Sequence, residues 1–281
     1  MIQISGMPPQ QMESWDAGSV EKKIIQQMLD APVLYSYRTR SELLFEINVR
    51  KNIIESAEKM NEQKIEFTTF KGARCNPEYW HLTEQGGFLL KPGIRPSAAI
   101  MDIYVNSPLY GFECATASVI ILYHAAIKSI GKRVFDVMFQ DLYLYSWHTD
   151  SDLGLHTFYA NHLIPGDVVY FKNPEFNPGT PWYRGENAVA LTGGKFFGHG
   201  FGIRDDEKMI QKLNKHRKQG STQSAYLTNL VTRPSFNRLA ELSAAQNGRT
   251  VRRVPYTVIH HNKCSIAFIQ YLTYYKKMIT G

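Results

Sequence analysis

The stretch Cys114 to Gly131, CATASVIILYHAAIKSIG, constrains the fold of this chain more than any other segment. Ala115, Val119, Leu122, Tyr123, Ala126, Ile127 and Ile130 recur at helical spacing on one face, and Gly131 is a natural stop. A helix this apolar packs centrally, so the remaining elements are expected to be built around it. It does not have the length to cross a bilayer: the longest apolar run, Ala115–Ile127, also contains Ser118 and His124. Glu113 and Cys114 stand at its mouth. The unpaired N–H groups and positive dipole end of a helix N-terminus favour a thiolate there. Cys114 is therefore either a small buried hydrophobe, as most free cysteines are, or a nucleophile. The stretch alone leaves both open.

At 281 residues the chain can bury a proper core, as one large domain or as one domain with attachments. Cys75, Cys114 and Cys264 lie far apart, which fits a reducing compartment better than a disulfide framework or a zinc ribbon. The opening MIQISGMPPQQMESW has neither a basic start nor an apolar core, so no secretory signal is expected. The net charge of +7 resides mostly in the tail. Arg249, Arg252, Arg253, Lys263, Lys276 and Lys277 follow Glu241 with no acidic residue among them, which leaves the body nearly neutral. That distribution argues against a nucleic-acid partner. It makes the tail either an arm drawn to acidic surfaces or a solvated extension.

Along the chain, residues 19–30 and 40–62 read as helices. In the second, Leu43, Leu44, Ile47, Ile54 and Ala57 recur at helical spacing, with Ser41 as the expected cap and Leu44 as the first apolar contact. Residues 65–93 suggest loops with a strand or two, and Pro96–Ser97 starts a helix over 96–104. In the tail, apolar positions 266, 269, 272, 275 and 279 describe a small amphipathic helix docked on the body.

A thiol nucleophile needs a proton acceptor. HLIPGDVVYFKNP gives a turn at Pro165–Gly166 and a strand from Val168 to Phe171. RGENAVALTGGKFFGHGFGI then reads as a hairpin turning at Gly193–Gly194. Counting from that turn pairs Leu191 with Phe196, Ala190 with Phe197 and Ala188 with His199. Glu186 and His199 then become diagonal neighbours on one face. A slip of one residue would separate them. Gly198, Gly200 and Gly202 would leave the other face open to close approach by another segment.

Other signals are weaker. Asp150–His156 resembles the start of a calcium loop, but Gly154, Leu155 and Asn161 stand where it needs a glycine and ligands, so no calcium dependence is expected. His260–Cys264, HHNKC, lacks a partner cluster for a metal, and the lone TGGK is only a turn. His124 and His148, beside apolar residues, read as structural.

A cysteine at a helix start, then PGDVVYF, then a two-stranded piece with polar residues resembles the papain-like, NlpC-type hydrolase core, an α+β fold. Glu186 departs from that pattern, standing where those enzymes carry histidine. With FECATA, KNPEF, RGEN, GHGFGI and QSAYL, the chain is similar to the small spore-associated protein-glutamine γ-glutamyltransferases, from MIQISG to about Phe236. The resemblance implies transamidation: Cys114 as nucleophile, Glu186 as catalytic glutamate, Glu113, the glutamate before the cysteine, as a second proton acceptor that leaves the main base open between the two, and His199 as active-site histidine that orients Glu186 or stabilises its charge. It implies protein glutamine and lysine side chains as substrates, coat proteins among them, and no metal or organic cofactor. Phe67, Trp147, Trp182 and Tyr183 are then candidate walls of an apolar channel, and the helix N-terminus with nearby backbone N–H groups is the expected oxyanion site. The expected organisation is a catalytic domain over 1–240, helical to 105 with the cysteine helix and sheet over 106–240, and a basic extension over 241–281. The alternatives are a cell-wall peptide amidase of the same core and a non-catalytic coat scaffold.

Overall fold

The computed structural model describes residues 1–6, 19–244 and 266–280. Its helices are α1 (Ser19–Asp30), α2 (Arg40–Asn61), α3 (Pro96–Val105), α4 (Cys114–Ile130), α5 (Lys132–Met138), α6 (Asp206–Asn214), α7 (Phe236–Ala244) and α8 (Phe268–Thr280). The apolar stretch is α4. Only Lys128 on it is exposed, so it is enclosed on all sides and not buried along a single face. Helices α2, α3, α5 and α7 pack around it. Its internal polar groups are answered locally: Ser118 donates to the Cys114 carbonyl at 2.9 Å, and His124 Nδ1 lies 2.7 Å from Ser56 Oγ.

Helix α2 begins one residue before the expected cap. Thr39 is extended there and its hydroxyl accepts from the Glu42 amide at 3.2 Å. Starting the helix at Arg40 buries Leu43 and leaves Leu44 at the surface, so Ser41 is not the cap and Leu44 is not the first core contact.

A six-stranded antiparallel sheet also packs against α4. Its strands are β1 (His156–Tyr159), β2 (Val168–Lys172), β3 (Gly185–Ala190), β4 (Lys195–Gly198), β5 (Gly202–Asp205) and β6 (Tyr226–Arg233), in spatial order β5-β4-β3-β2-β6-β1. The β3–β4 hairpin closes one residue tighter than expected, pairing Ala190 with Phe196, Val189 with Phe197 and Ala188 with Gly198. The cause lies in its loop. Gly193 and Gly194 both take left-handed φ, at 71° and 69°, and the Leu191 amide donates to the Lys195 carbonyl at 2.8 Å. Thr192 and the two glycines therefore suffice for the turn. Period-two alternation then sets Glu186, Ala188 and Ala190 over Gly198 and Phe196, while His199 falls beyond the end of β4.

The turn before β2 is a buried charge hub. Asp167 accepts from Arg50 at 2.8 Å and from Arg233 at 2.6 and 2.8 Å, and the Arg50 guanidinium also donates to the Pro165 carbonyl. Burial works against the Asp167 charge, but Arg233 and Arg50 outweigh it and hold the carboxyl below its ordinary range. Helix α2, strand β2 and strand β6 are joined at this point.

Helix α8 docks as expected of an amphipathic helix, with Ile266, Leu272 and Tyr275 in or against the core, but the face is turned toward Phe268 and Tyr271. Phe268 and Tyr271 are buried, whereas Ile269 and Ile279 are exposed. His260–Cys264 lies outside the described residues. No described helix is long and apolar enough to cross a membrane.

Candidate active site

Cys114 is the first residue of α4 and is fully buried. Glu113 is its N-cap: the carboxylate bends back and accepts from the Ala115 amide, the Thr116 amide and the Thr116 hydroxyl, each at 2.6 Å. Both oxygens are thus engaged by the helix terminus, where negative charge is favoured. The Thr116 hydroxyl in turn accepts from the Ser146 amide at 2.9 Å. Ser146 is a buried non-glycine residue in the left-handed region, at φ 51°, and the strained turn presents Trp147.

Strand β3 supplies the other half of the site. Glu186 and Asn187 are neighbours in sequence, both buried, and both reach Cys114. The Asn187 backbone N–H and its side-chain Nδ2 each donate to Cys114 Sγ at 3.3 Å. The Glu186 carboxyl has Cys114 as a hydrogen-bond partner. Burial, reinforced by the nearby Glu113 charge, raises the Glu186 pKa well above the ordinary carboxyl value. Its Oε1 meets no hydrogen-bond partner among the described residues. The path of this side chain depends on Gly198, since a Cβ there would lie 2.8 Å from Glu186 Oε1 and 2.8 Å from Met209 Cε.

His199 does not meet Glu186 across the hairpin as the sequence register implied. It sits in the turn between β4 and β5, its Nε2 3.3 Å from the Glu66 carbonyl and its ring 4.9 Å from that of Phe112. Burial lowers its pKa to about 4. Phe67 lies beside it, at 5.9 Å between ring centroids, and abuts Gly200, where no Cβ would fit. Trp147 is buried on the Asn187 side of the sulfur. Trp182 and Tyr183 belong to a short helical turn at Pro181–Arg184 that leads into β3. Tyr183 stacks on His216 at 3.4 Å and packs near Phe201. The structure therefore brings Glu113, Glu186 and Asn187 to Cys114, with Trp147 behind Asn187, and sets His199 and Phe67 against Phe112, two residues before the cysteine, while Tyr183 makes its contacts with the α6 side of the sheet.

Asn187, Thr116 and Ser146 were missed from sequence. For Asn187 a signal existed, because alternation along β3 puts it opposite to Glu186, on the face shared with Val189. Lys212 was also missed; its positive charge opposes the rise of the Glu186 pKa. Asp150 and Asp152 hold no loop open for a cation: Asp150 caps the turn Ser151–Leu153 and Asp152 pairs with Arg238. Among the described residues no three His, Cys, Asp or Glu side chains cluster as metal ligands would.

A cysteine opening a central helix, packed on an antiparallel sheet whose adjacent strand brings up an acid, defines a papain-like cysteine enzyme. The family model described as protein-glutamine gamma-glutamyltransferase matches residues 1–243. The chain belongs to this family, whose reaction is cross-linking transamidation, and is an acyltransferase. A protein-glutamine gamma-glutamyltransferase of Halalkalibacterium halodurans is 55% identical over 281 residues, all of this chain and 99% of the relative. One of Bacillus subtilis is 41% identical over 85% of this chain and 99% of its own length. A solved structure, "Transglutaminase from Geobacillus stearothermophilus (without C-terminal extension)", superposes with TM-score 0.71 at 44% identity, covering 73% of this chain and 98% of that one. The amidase and the silent scaffold give way to that assignment.

Proposed function

We propose that Cys114 is the acyl-accepting nucleophile and Glu186 the group that carries its proton. The observation that supports this most is the pairing of the sulfur with a buried, proton-retaining carboxyl and two N–H donors from Asn187. In the resting site one proton is shared between sulfur and carboxyl, which avoids two adjacent negative charges, and the Asn187 N–H groups favour the sulfur carrying the charge. The thiolate attacks the glutamine carboxamide carbon. Glu186 then gives its proton to the departing nitrogen, the C–N bond breaks, and ammonia leaves behind a thioester and a Glu186 carboxylate. A neutral lysine amine attacks the thioester, Glu186 takes the proton from the new bond's nitrogen, and the thiolate departs. The cycle ends as it began.

Glu113 serves as cap to the helix and, through Thr116 and Ser146, as support for Trp147. His199 and Phe67 wall the side of the site beneath Phe112. Trp182 and Tyr183, in the turn before β3, pack toward Phe201 and His216 and take no part in this reading of the site. Residues 1–240 form the catalytic unit and 241–281 an extension; the reach of the family match to residue 243 supports that division.

The decisive test incubates the protein with a glutamine-containing peptide and a fluorescent primary amine. Amine incorporation is expected to vanish in C114A and to drop in E186A, with the fold intact in both. Near-normal turnover in folded E186A would refute the proton-carrying role.

The finer setting is transfer between proteins of the spore coat, at the spore surface and without calcium. Its support is the motif resemblance to spore-associated enzymes and, for calcium, the engagement of Asp150 and Asp152 within the chain. A chelator is expected to leave the rate unchanged, and coat extracts from sporulated source cells are expected to contain the protein.

A further inference from the structure

A main-chain carbonyl from outside the family-matched region is held beside the catalytic thiol. Ile266 lies beyond residue 243, where the family match ends. Its oxygen accepts from Trp147 Nε1 at 2.9 Å and from Asn187 Nδ2 at 3.2 Å. The same Asn187 Nδ2 is 3.3 Å from Cys114 Sγ, so one amide group serves the sulfur and the foreign oxygen together. Both donor side chains are buried, and Ile266 is 1% exposed. The segment is fixed by its neighbours: the Phe268 ring meets Trp147 edge-on at 5.5 Å, and Tyr271 stacks below at 6.4 Å. A small cavity beside it is lined by Trp147, Asn187, Val169, Thr232, Ala267 and Phe268.

Two converging N–H donors next to a nucleophilic sulfur are the arrangement that receives a carboxamide oxygen as it gains charge. No sequence feature pointed to side chains for that role; backbone groups were expected. The segment is not shared by every relative's matched length, although the Halalkalibacterium halodurans relative aligns across it. The Bacillus subtilis enzyme is matched over 99% of its length by 85% of this chain, and the Geobacillus stearothermophilus structure is described as lacking a C-terminal extension. The extension therefore reaches these donors from outside the part of the chain that the family model matches.

We propose that Trp147 Nε1 and Asn187 Nδ2 bind the oxygen of the glutamine carboxamide, and that Ile266–Phe268 is an internal competitor holding them with its own carbonyl. This rests on Cys114 being the nucleophile. Substrate must displace the segment before acylation, so the enzyme is slowed at low glutamine concentration and released by whatever removes α8 from its seat.

The test uses the full chain. The double variant F268E/Y271E places charge in the apolar anchor of α8 and undocks it. Two rates are then read, amine incorporation into a glutamine peptide and alkylation of Cys114 by iodoacetamide followed by mass spectrometry. Undocking is expected to raise kcat/KM for the glutamine peptide and the alkylation rate, each about tenfold or more. No change in either would overturn the competitor. W147F in the undocked background keeps an aromatic ring and removes the N–H. It is expected to lower kcat for incorporation about 10²-fold, the usual loss for one oxyanion donor, with alkylation within twofold, since displacement of iodide builds no oxyanion. Unchanged kcat, or alkylation falling in parallel with it, would overturn the donor role. Urea midpoints of both variants report folding. Incorporation that persists in C114A is a separate outcome, and it would remove the nucleophile on which the proposal stands.

Discussion

Gly198→Ala separates the position of the Glu186 carboxyl from the stability of the hairpin. The backbone at Gly198 is not among those with positive φ, so alanine meets no conformational barrier there. Its Cβ, however, would stand 2.8 Å from Glu186 Oε1, 2.9 Å from Glu186 Cγ and 2.8 Å from Met209 Cε. Ordinary contact begins near 3.4 Å. The methionine end is flexible and gives way, while the glutamate is enclosed and has to swing by roughly half an ångström. A misplacement of about 1 Å costs about 10²-fold in rate, so about a tenfold loss of kcat is expected. Overpacking costs about 1–3 kcal/mol, offset by about 0.5–1 kcal/mol from the lower unfolded-state entropy of alanine, for a net loss of about 1 kcal/mol. The assay is amine incorporation under saturating substrate, alongside urea unfolding. M209A alone and with G198A distinguishes the two contacts, because it relieves only the methionine. Wild-type kcat in folded G198A, or kcat restored when M209A is added, would refute the claim that the carboxyl must sit where it does.

E186Q copies the shape of the protonated acid but cannot pass a proton, and kcat is expected to fall by about 10²–10⁴ in the incorporation assay. Its stability carries a second signature. The native state retains the Glu186 proton beyond the ordinary carboxyl value, so wild-type stability falls as pH rises above that value, and E186Q is expected to flatten this part of the urea-midpoint profile. On the acid side, His124, His148 and His199 are lowered to about 4 by burial. The unfolded chain binds protons that the native one refuses, so stability is expected to drop as pH falls from about 6.5 to about 4. D167N leaves Arg50 and Arg233 buried against a neutral amide and is expected to cost about 3–5 kcal/mol, read from thermal and urea unfolding.

Apolar spacing made the central helix and α2 legible as helices, the Pro96–Ser97 start marked α3 and the Pro165–Gly166 turn marked β2, although α4 is buried on more faces than its pattern shows and Leu44 on α2 is exposed. Cys114 was legible only as a candidate, because it opens the apolar helix; the motif resemblance, and not the pattern, singled out Glu186 as its partner. The hairpin register was not legible. It turned on whether two glycines take left-handed φ, a choice that sequence allows either way, and one residue of error carried His199 to the wrong partner. The face of α8 failed only in part, and differently. Position 266 was counted as part of the helix, but Ile266 precedes it, held by its carbonyl, and the buried face starts from Phe268. The PGD turn concealed its role altogether, since Arg50 and Arg233 approach Asp167 from 117 and 66 residues away.

Two glutamates near one sulfur pose a problem of charge that the fold solves by giving them opposite surroundings. Glu113 is met by two amides and a hydroxyl at a helix N-terminus, where negative charge is favoured. Glu186 lies on a strand face among alanines, glycine and a methionine, where the thiol is its hydrogen-bond partner and, among the described residues, its Oε1 meets none. The fixed charge of the first adds to the burial of the second in keeping a proton on Glu186. A histidine in the place of Glu186 would be pushed the other way by the same burial, as His199 is, and would lose its proton instead of holding it. An acid at this position is therefore what lets a buried site keep one mobile proton beside a thiolate. It follows that restoring histidine by E186H is expected to leave the thiol protonated at neutral pH and to slow iodoacetamide alkylation at least tenfold; alkylation as fast as in the native enzyme would show that the proton does not depend on the acid.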